Sequence, residues 1–205
     1  MKKVLLICLF LLAPVFVLSM PSTGAAQQPK LDIKVFVGVS NLLLAQKLEE
    51  EVKRNRYFGW QVGFGARIRR RQAFIEVQLS FDRWAIASEL EDGSQIAGNV
   101  NSFELPLIMG YIPYKNPFFK LFLYAGFVNH FNTAYVLFPP DSGKEKFRIK
   151  DTTLAVYQAI GRLGVNFDLA KFNIDFNYSI SLNSVTHTTY RTGYHQLQLN
   201  LGYLF

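Results

Sequence analysis

Three histidines and a scatter of acids and bases are the residues that could do chemistry in this chain of 205 residues. His187 lies close to Ser184, Thr186 and Thr188, whereas His130 and His195 stand apart. Acyl hydrolysis needs a hydroxyl nucleophile, a histidine base and an acid that orients it. Ser184 and His187 could supply the first two, which defines one reading: a lipid deacylase or acyltransferase. A hydroxyl near a histidine is common by chance in a Ser/Thr-rich loop, and no carboxylate flanks the histidines in sequence. The residues therefore assign no catalytic group, no metal ligand and no cofactor. The charged residues Lys34, Arg67, Glu76, Asp82, Glu104, Lys120, Arg162 and Asp175 follow a different rule: each is set one residue off an apolar stripe.

Those stripes reveal the elements that carry the charges. Eight segments alternate with a period of two, the repeat of a strand with one greasy face. The stripes run Ile33 to Val39, Phe58 to Ile68, Ala73 to Phe81, Phe103 to Tyr111, Phe119 to Phe127, Tyr157 to Phe167, Phe172 to Leu182 and His195 to Phe205. No residue of these stripes is charged; the acids and bases named above all fall on the opposite face. A β-sandwich would turn the stripes inward, and a membrane barrel would turn them toward lipid. An arginine or lysine facing lipid near the midplane costs roughly 2–4 kcal/mol, which would produce sorting this complete.

The connections decide between the two. Residues 41–56, 83–101 and 129–152 are long, 184–193 intermediate, 112–118 short, and 69–71 and 169–171 tight turns. Long outer loops alternating with short periplasmic turns are the barrel signature. The sequence predicts an eight-stranded antiparallel up-and-down transmembrane β-barrel over residues 27–205. The last strand, with Leu197, Leu199, Leu201, Tyr203 and Phe205 on its greasy face, reads as a membrane-insertion signal for barrel-assembly machinery. Aromatic residues form two interfacial girdles: Phe58, Trp60, Phe81 and Phe103 outside; Tyr111, Phe119, Phe167, Phe172, Tyr203 and Phe205 inside. Pro106 cannot donate a ladder hydrogen bond, which predicts a bulge or local kink. Leu42 to Arg54 favours helix by propensity, either as a frayed loop helix or as an amphipathic helix at the outer lipid surface.

Residues 1–26 have the layout of a Sec-type signal peptide: Lys2 and Lys3, an apolar run from Val4 to Leu18, then Gly24-Ala25-Ala26. Cys8, the one cysteine, lies inside that run, so the exported chain is held without disulfides. Removing Lys2 and Lys3 lowers the formal charge from +7 to +5, unclustered apart from Arg69-Arg70-Arg71. A turn explains that run better than nucleic acid does. The expected surroundings are the outer membrane of a Gram-negative cell and its lipid.

The segment Phe103-Glu104-Leu105-Pro106-Leu107-Ile108-Met109-Gly110-Tyr111 resembles a motif in the small outer-membrane barrels of Bacteroidota, centred on Phe103, Glu104, Leu105 and Pro106. Leu163-Gly164-Val165-Asn166-Phe167 and Asp175-Phe176-Asn177-Tyr178-Ser179 are similar to the sixth and seventh strands of that family. Ile180-Ser181-Leu182 departs from the Gly-Leu that usually follows. The family is called PorT-like, after a member needed for type IX secretion. The resemblance implies the same barrel fold and envelope or secretion proteins as partners.

Eight strands enclose a space that side chains fill. The inward charges should therefore pair, Glu104 and Glu76 against Lys120, Arg162 or Arg67, as a structural network; an ion or proton path is the alternative. The expected function is a non-enzymatic scaffold or accessory subunit with partner-binding loops.

Overall fold

The computed structural model describes residues 28–47, 52–89, 95–138, 145–149, 152, 154–186 and 192–205. The signal-peptide segment, Cys8, His187 and Thr188 lie outside the described residues. The chain forms β1 (Lys30–Lys47), β2 (Val52–Arg70), β3 (Ala73–Glu89), β4 (Gln95–Lys115), β5 (Phe119–Phe138), β6 (Glu145–Arg148), β7 (Tyr157–Leu169), β8 (Phe172–Ser181) and β9 (Thr192–Leu204). Every strand pairing is antiparallel. Neighbours in sequence pair, except that β5 pairs with both β6 and β7, and β1 pairs with β9 and β4 with β5 to close the wall. β6 and β7 share one place in that wall. The loop end of β5 (Ala134 to Leu137) pairs with β6, and its lower part (Phe119 to Phe131) pairs with β7. The result is an eight-stranded barrel with one strand interrupted.

The face assignment follows the alternation. Ile33, Val37, Phe64, Leu163 and Leu201 are each about half exposed or more on the outside, with Leu163 at 61%. Lys34, Arg67, Glu76, Asp82, Glu104 and Arg162 are buried inside. Aromatic rings line both rims. Trp60, Phe81 and Phe103 form a row with centroids 5.7 and 5.5 Å apart near the loop end. At the turn end Tyr114, Phe119 and Phe167 make a second row, at 5.8 and 6.1 Å. Phe172, Tyr203 and Phe205 continue it at 5.9 and 5.2 Å.

Three sequence expectations need correction. The long loops are shorter than the stripes imply, because the strands outrun them. β1 to β5 have 17–21 residues, against the roughly 9–11 that span a bilayer. The described parts of the segment read as helix-forming are strand: Leu42 to Lys47 pair with Tyr57 back to Val52, and residues 48–51 lie outside the described residues. Cross-strand pairing overrides its modest helix propensity. Pro106 makes no register shift. Pairing with β3 simply lapses opposite it, at Gln78 and Leu79, and resumes in the same register at Ser80↔Glu104. The shifts in β4 fall instead at Asn101/Ser102 and at Tyr111/Tyr114, the second around Pro113.

Large inward rings are accommodated by glycine on the adjacent strand. Tyr124 faces Gly110 on one side and Gly164 on the other. Phe36 faces Gly63 and Gly202, and Trp84 faces Gly59. A Cβ added at Gly164 would overlap the Tyr124 ring. Gly164→Val should therefore destabilise the barrel by about 1–3 kcal/mol in urea unfolding, as overpacking does. The ring must move and its hydroxyl contact with Asp175 is lost.

Candidate functional site: the barrel interior

Apolar plugs lie at both ends of the lumen. Phe74, Ile108, Ile112, Phe122 and Tyr124 pack together toward the turn end, with Phe74 edge-on to Phe122 at 5.2 Å. At the loop end, Leu42, Trp84, Val100, Val128 and Ile160 of the wall meet Ile149, Leu154 and Val185 of the connections. These connections fold into the mouth rather than away from it. The Ala155 amide donates to the Val185 carbonyl at 2.8 Å, and the Asn132 amide donates to the Val156 carbonyl at 2.8 Å. The interrupted strand supplies the slack: the chain leaves the wall after β6, turns Ile149, Leu154 and Ala155 inward, and rejoins the wall at β7.

A polar layer lies between the plugs, in two ion clusters. In the first, Glu76 receives Lys34 Nζ at 2.6 Å and Arg67 Nε at 2.5 Å. Arg67 Nη1 crosses the lumen to Asp168 on β7, 3.1 Å away, although β2 and β7 stand on opposite walls. Its guanidinium lies over Phe122, 4.2 Å from the ring centroid, so the apolar plug and the ion cluster share a surface. In the second cluster, Arg162 Nη2 donates to Glu104 Oε2 at 2.7 Å and Arg162 Nε donates to Ser179 Oγ at 2.9 Å. His130 Nδ1 lies 3.2 Å from the other oxygen of Glu104. A third group centres on Asp175: Tyr124 donates to its Oδ1 at 2.7 Å, Asn200 donates to its Oδ2 at 3.3 Å, and Gln61 donates to Asn200.

The structure thus brings Lys34, Arg67 and Glu76 into one cluster and Glu104 and Arg162 into another. Asp175 is held by Tyr124 and Asn200 rather than by a base. Lys120 stands apart: half-buried near the turn end, it pairs with no carboxylate among the described residues. Asp82 is fully buried, yet neither of its oxygens has a hydrogen-bond partner among the described residues. Within the Phe103-Glu104-Leu105-Pro106 motif, Phe103 and Leu105 face out and Glu104 and Pro106 face in. Leu197, Leu199, Leu201, Tyr203 and Phe205 lie on the outer face of β9 and beyond it, and the Phe205 amide donates to the Ile33 carbonyl at 2.9 Å.

By sequence His130 falls just past the fifth stripe, which stops at Phe127, and so at the end of its strand. It lies well within β5, faces inward, is fully buried and is the register partner of Glu104. The alternation of Val128, His130 and Asn132 against Asn129 and Phe131 carried the signal. The polar run Asn129-His130 hid it, because it resembles a strand end. Asp168 lies on the same inward face but was not named in the network, and its partner Arg67 stands on the opposite wall.

No protein-family model matches the chain, and no curated protein matches its sequence. Solved structures do match. The chain is similar to Neisserial surface protein A at 12% identity, over 87% of this chain and 100% of that one, with a TM-score of 0.52. It is similar to Ail, the attachment invasion locus protein of Yersinia pestis, at 14% identity over 85% and 98%, with a TM-score of 0.50. The outer membrane enzyme PagL aligns at 13% identity over 81% and 98%, with a TM-score of 0.43. The fold is that of the small outer-membrane barrels. At these identities the likeness extends to the fold and no further.

The hydroxyl and histidine chemistry considered from sequence takes a different form in space. His195 lies on the outer face and stacks on Tyr178, whose hydroxyl is 2.6 Å from its Nδ1. Ser184 Oγ accepts from the Thr192 amide at 3.3 Å, and Thr186 and Thr192 share a hydroxyl contact at 2.9 Å. Among the described residues no serine hydroxyl bonds to a histidine.

Proposed function

We propose that the protein is an integral outer-membrane scaffold or accessory subunit, exported by a Sec-type signal peptide, that binds an envelope partner through its loop end. One observation carries this reading. The lumen is filled by polar side chains between two apolar plugs, so the barrel body serves as a wall rather than a passage. What remains for recognition is the collar of strand that projects past the bilayer, together with the connections seated on it. Connections carry function more often than the scaffold beneath them. The PorT-like motif around Glu104 points toward secretion proteins as the partner class.

The test is affinity purification of the tagged chain from intact envelopes, after chemical cross-linking and mild detergent extraction. A reproducible, near-stoichiometric envelope protein is expected. Isolation as a lone monomer after cross-linking would overturn the proposal. So would a change in the lipid A or phospholipid mass spectrum of cells lacking the gene, which would favour a lipid-modifying enzyme.

A further inference from the structure

We propose that Asp82, Glu104 and His130 hold a divalent transition-metal ion, zinc foremost, inside the barrel beneath the loop-end plug. Candidate ligand atoms of these three buried residues all lie within 4.8 Å of one another. They come from adjacent strands β3, β4 and β5, so the closed sheet fixes their spacing.

The hydrogen bonds around His130 set its tautomer. Asn132 Nδ2 donates to the Ala155 carbonyl at 2.7 Å, which turns the amide oxygen toward the ring. That oxygen lies 3.0 Å from His130 Nε2, which must therefore carry the hydrogen. The Nδ1 of a neutral ring then presents a lone pair, and it faces Glu104 Oε1 at 3.2 Å. Two acceptors face each other across that gap and need something positive between them. The gap fits a metal: two donors about 2.1 Å from one ion and roughly 90–110° apart lie about 3.0–3.4 Å from each other.

A second proton on the ring would also satisfy Glu104, but it would do nothing for Asp82. Both oxygens of Asp82 are buried without a donor among the described residues, a costly state for a carboxylate. One cation touches all three groups at once. Gln158, the register partner of His130 on β7, is also fully buried, and neither of its side-chain amide atoms has a partner among the described residues. As a buried, unbonded neighbour of His130 across the β5–β7 ladder, it is available as a fourth donor. The surroundings match those of metal-bound histidines, whose free ring N–H is held by a carbonyl and whose neighbouring carboxylates are themselves hydrogen-bonded. Here Asn132 holds the ring, and Arg162 holds Glu104 at 2.7 Å. Imidazole with carboxylate suits zinc and its first-row neighbours, whereas all-oxygen sites suit magnesium and calcium.

Because the plug covers the site, the ion should enter while the barrel closes. The full chain is to be isolated from outer membranes in mild detergent, and also refolded into detergent with chelator, with zinc or with manganese. Metal content is then read by inductively coupled plasma mass spectrometry. The expected result is about one zinc per folded chain, retained through chelator dialysis and released on unfolding. Refolding with zinc should also raise the unfolding temperature relative to refolding with chelator. Asp82→Asn, nearly isosteric, should still show the heat-modifiable gel shift of a folded barrel while losing both the metal and the zinc-dependent rise. His130→Gln should behave likewise. Wild-type protein without stoichiometric zinc or manganese from either source would overturn the proposal and leave a proton-sharing cluster. Equal metal content in the wild type and in Asp82→Asn would overturn it as well, by placing the ion elsewhere.

Discussion

Arg67→Met is expected to lower barrel stability by about 3–5 kcal/mol in urea or guanidinium unfolding from lipid vesicles, the cost of breaking a buried ion cluster by removing one partner. Among the described residues Arg67 is the single cation that reaches both walls, donating to Glu76 at 2.5 Å and to Asp168 at 3.1 Å. Without it, Glu76 keeps Lys34 and an amide donor from Gln78 at 2.6 Å. Asp168 keeps only an amide donor from Asn173, also at 2.6 Å. A buried carboxylate would then keep one neutral donor, with the ammonium of its register partner Lys120 near but not bonded to it. Methionine retains the stacking surface over Phe122, so the measured loss reports the charge rather than a cavity. Arg67→Lys should recover only part of it, because an ammonium lacks the planar fork that serves two acceptors at once. Adding Asp168→Asn to Arg67→Met should restore more than half of the deficit, since it removes the stranded charge. A loss under about 1 kcal/mol for the single variant would mean that the cluster is wetter and less coupled than its burial indicates.

The second large effect tests which side of the wall meets lipid. Leu163→Arg, midway along β7, should cost about 2–4 kcal/mol in a bilayer. Leu163 is 61% exposed and borders no described charge that could neutralise an arginine. In detergent micelles, where the side chain can bend to water, the cost should fall by more than half. Equal stability of variant and wild type in vesicles would show that the apolar stripes do not face hydrocarbon. The barrel orientation would then have to be abandoned.

The fold was legible because lipid imposes one rule on every strand. A charge on the outside is costly wherever it sits, so alternation survives along Phe172 to Leu182 and Leu197 to Phe205 without interruption. The strand tips were not legible. Beyond the bilayer that rule lapses, and Leu42, Trp84 and Val100 turn inward to build a small soluble-type core of their own. Their apolar character broke the expected alternation and suggested loops or a helix. Within the site, the membership of Glu76 and Arg67 followed from face and sign alone. The pairs Glu76–Arg67 and Glu104–Arg162 were among the pairings expected, but Asp168 was not, because pairing across a lumen depends on which strands end up opposite: Asp168 meets Arg67 only through closure. The orphaned state of Asp82 and the tautomer of His130 depend on single hydrogen bonds, which no periodicity encodes.

The reach of Arg67 across the barrel also bears on how the chain enters its membrane. In an open sheet of hairpins Arg67 would keep Glu76 within its own hairpin, but Asp168 would face hydrocarbon with its counter-charge on a strand not yet curled into place. Stepwise threading of hairpins through bare lipid is therefore uphill until the first and last strands zip at β1–β9. Only then do oppositely charged groups 101 residues apart in sequence neutralise one another. Such a polypeptide needs a shielded cradle in which it can curl before release, and the ion clusters act as a latch that holds the finished cylinder shut.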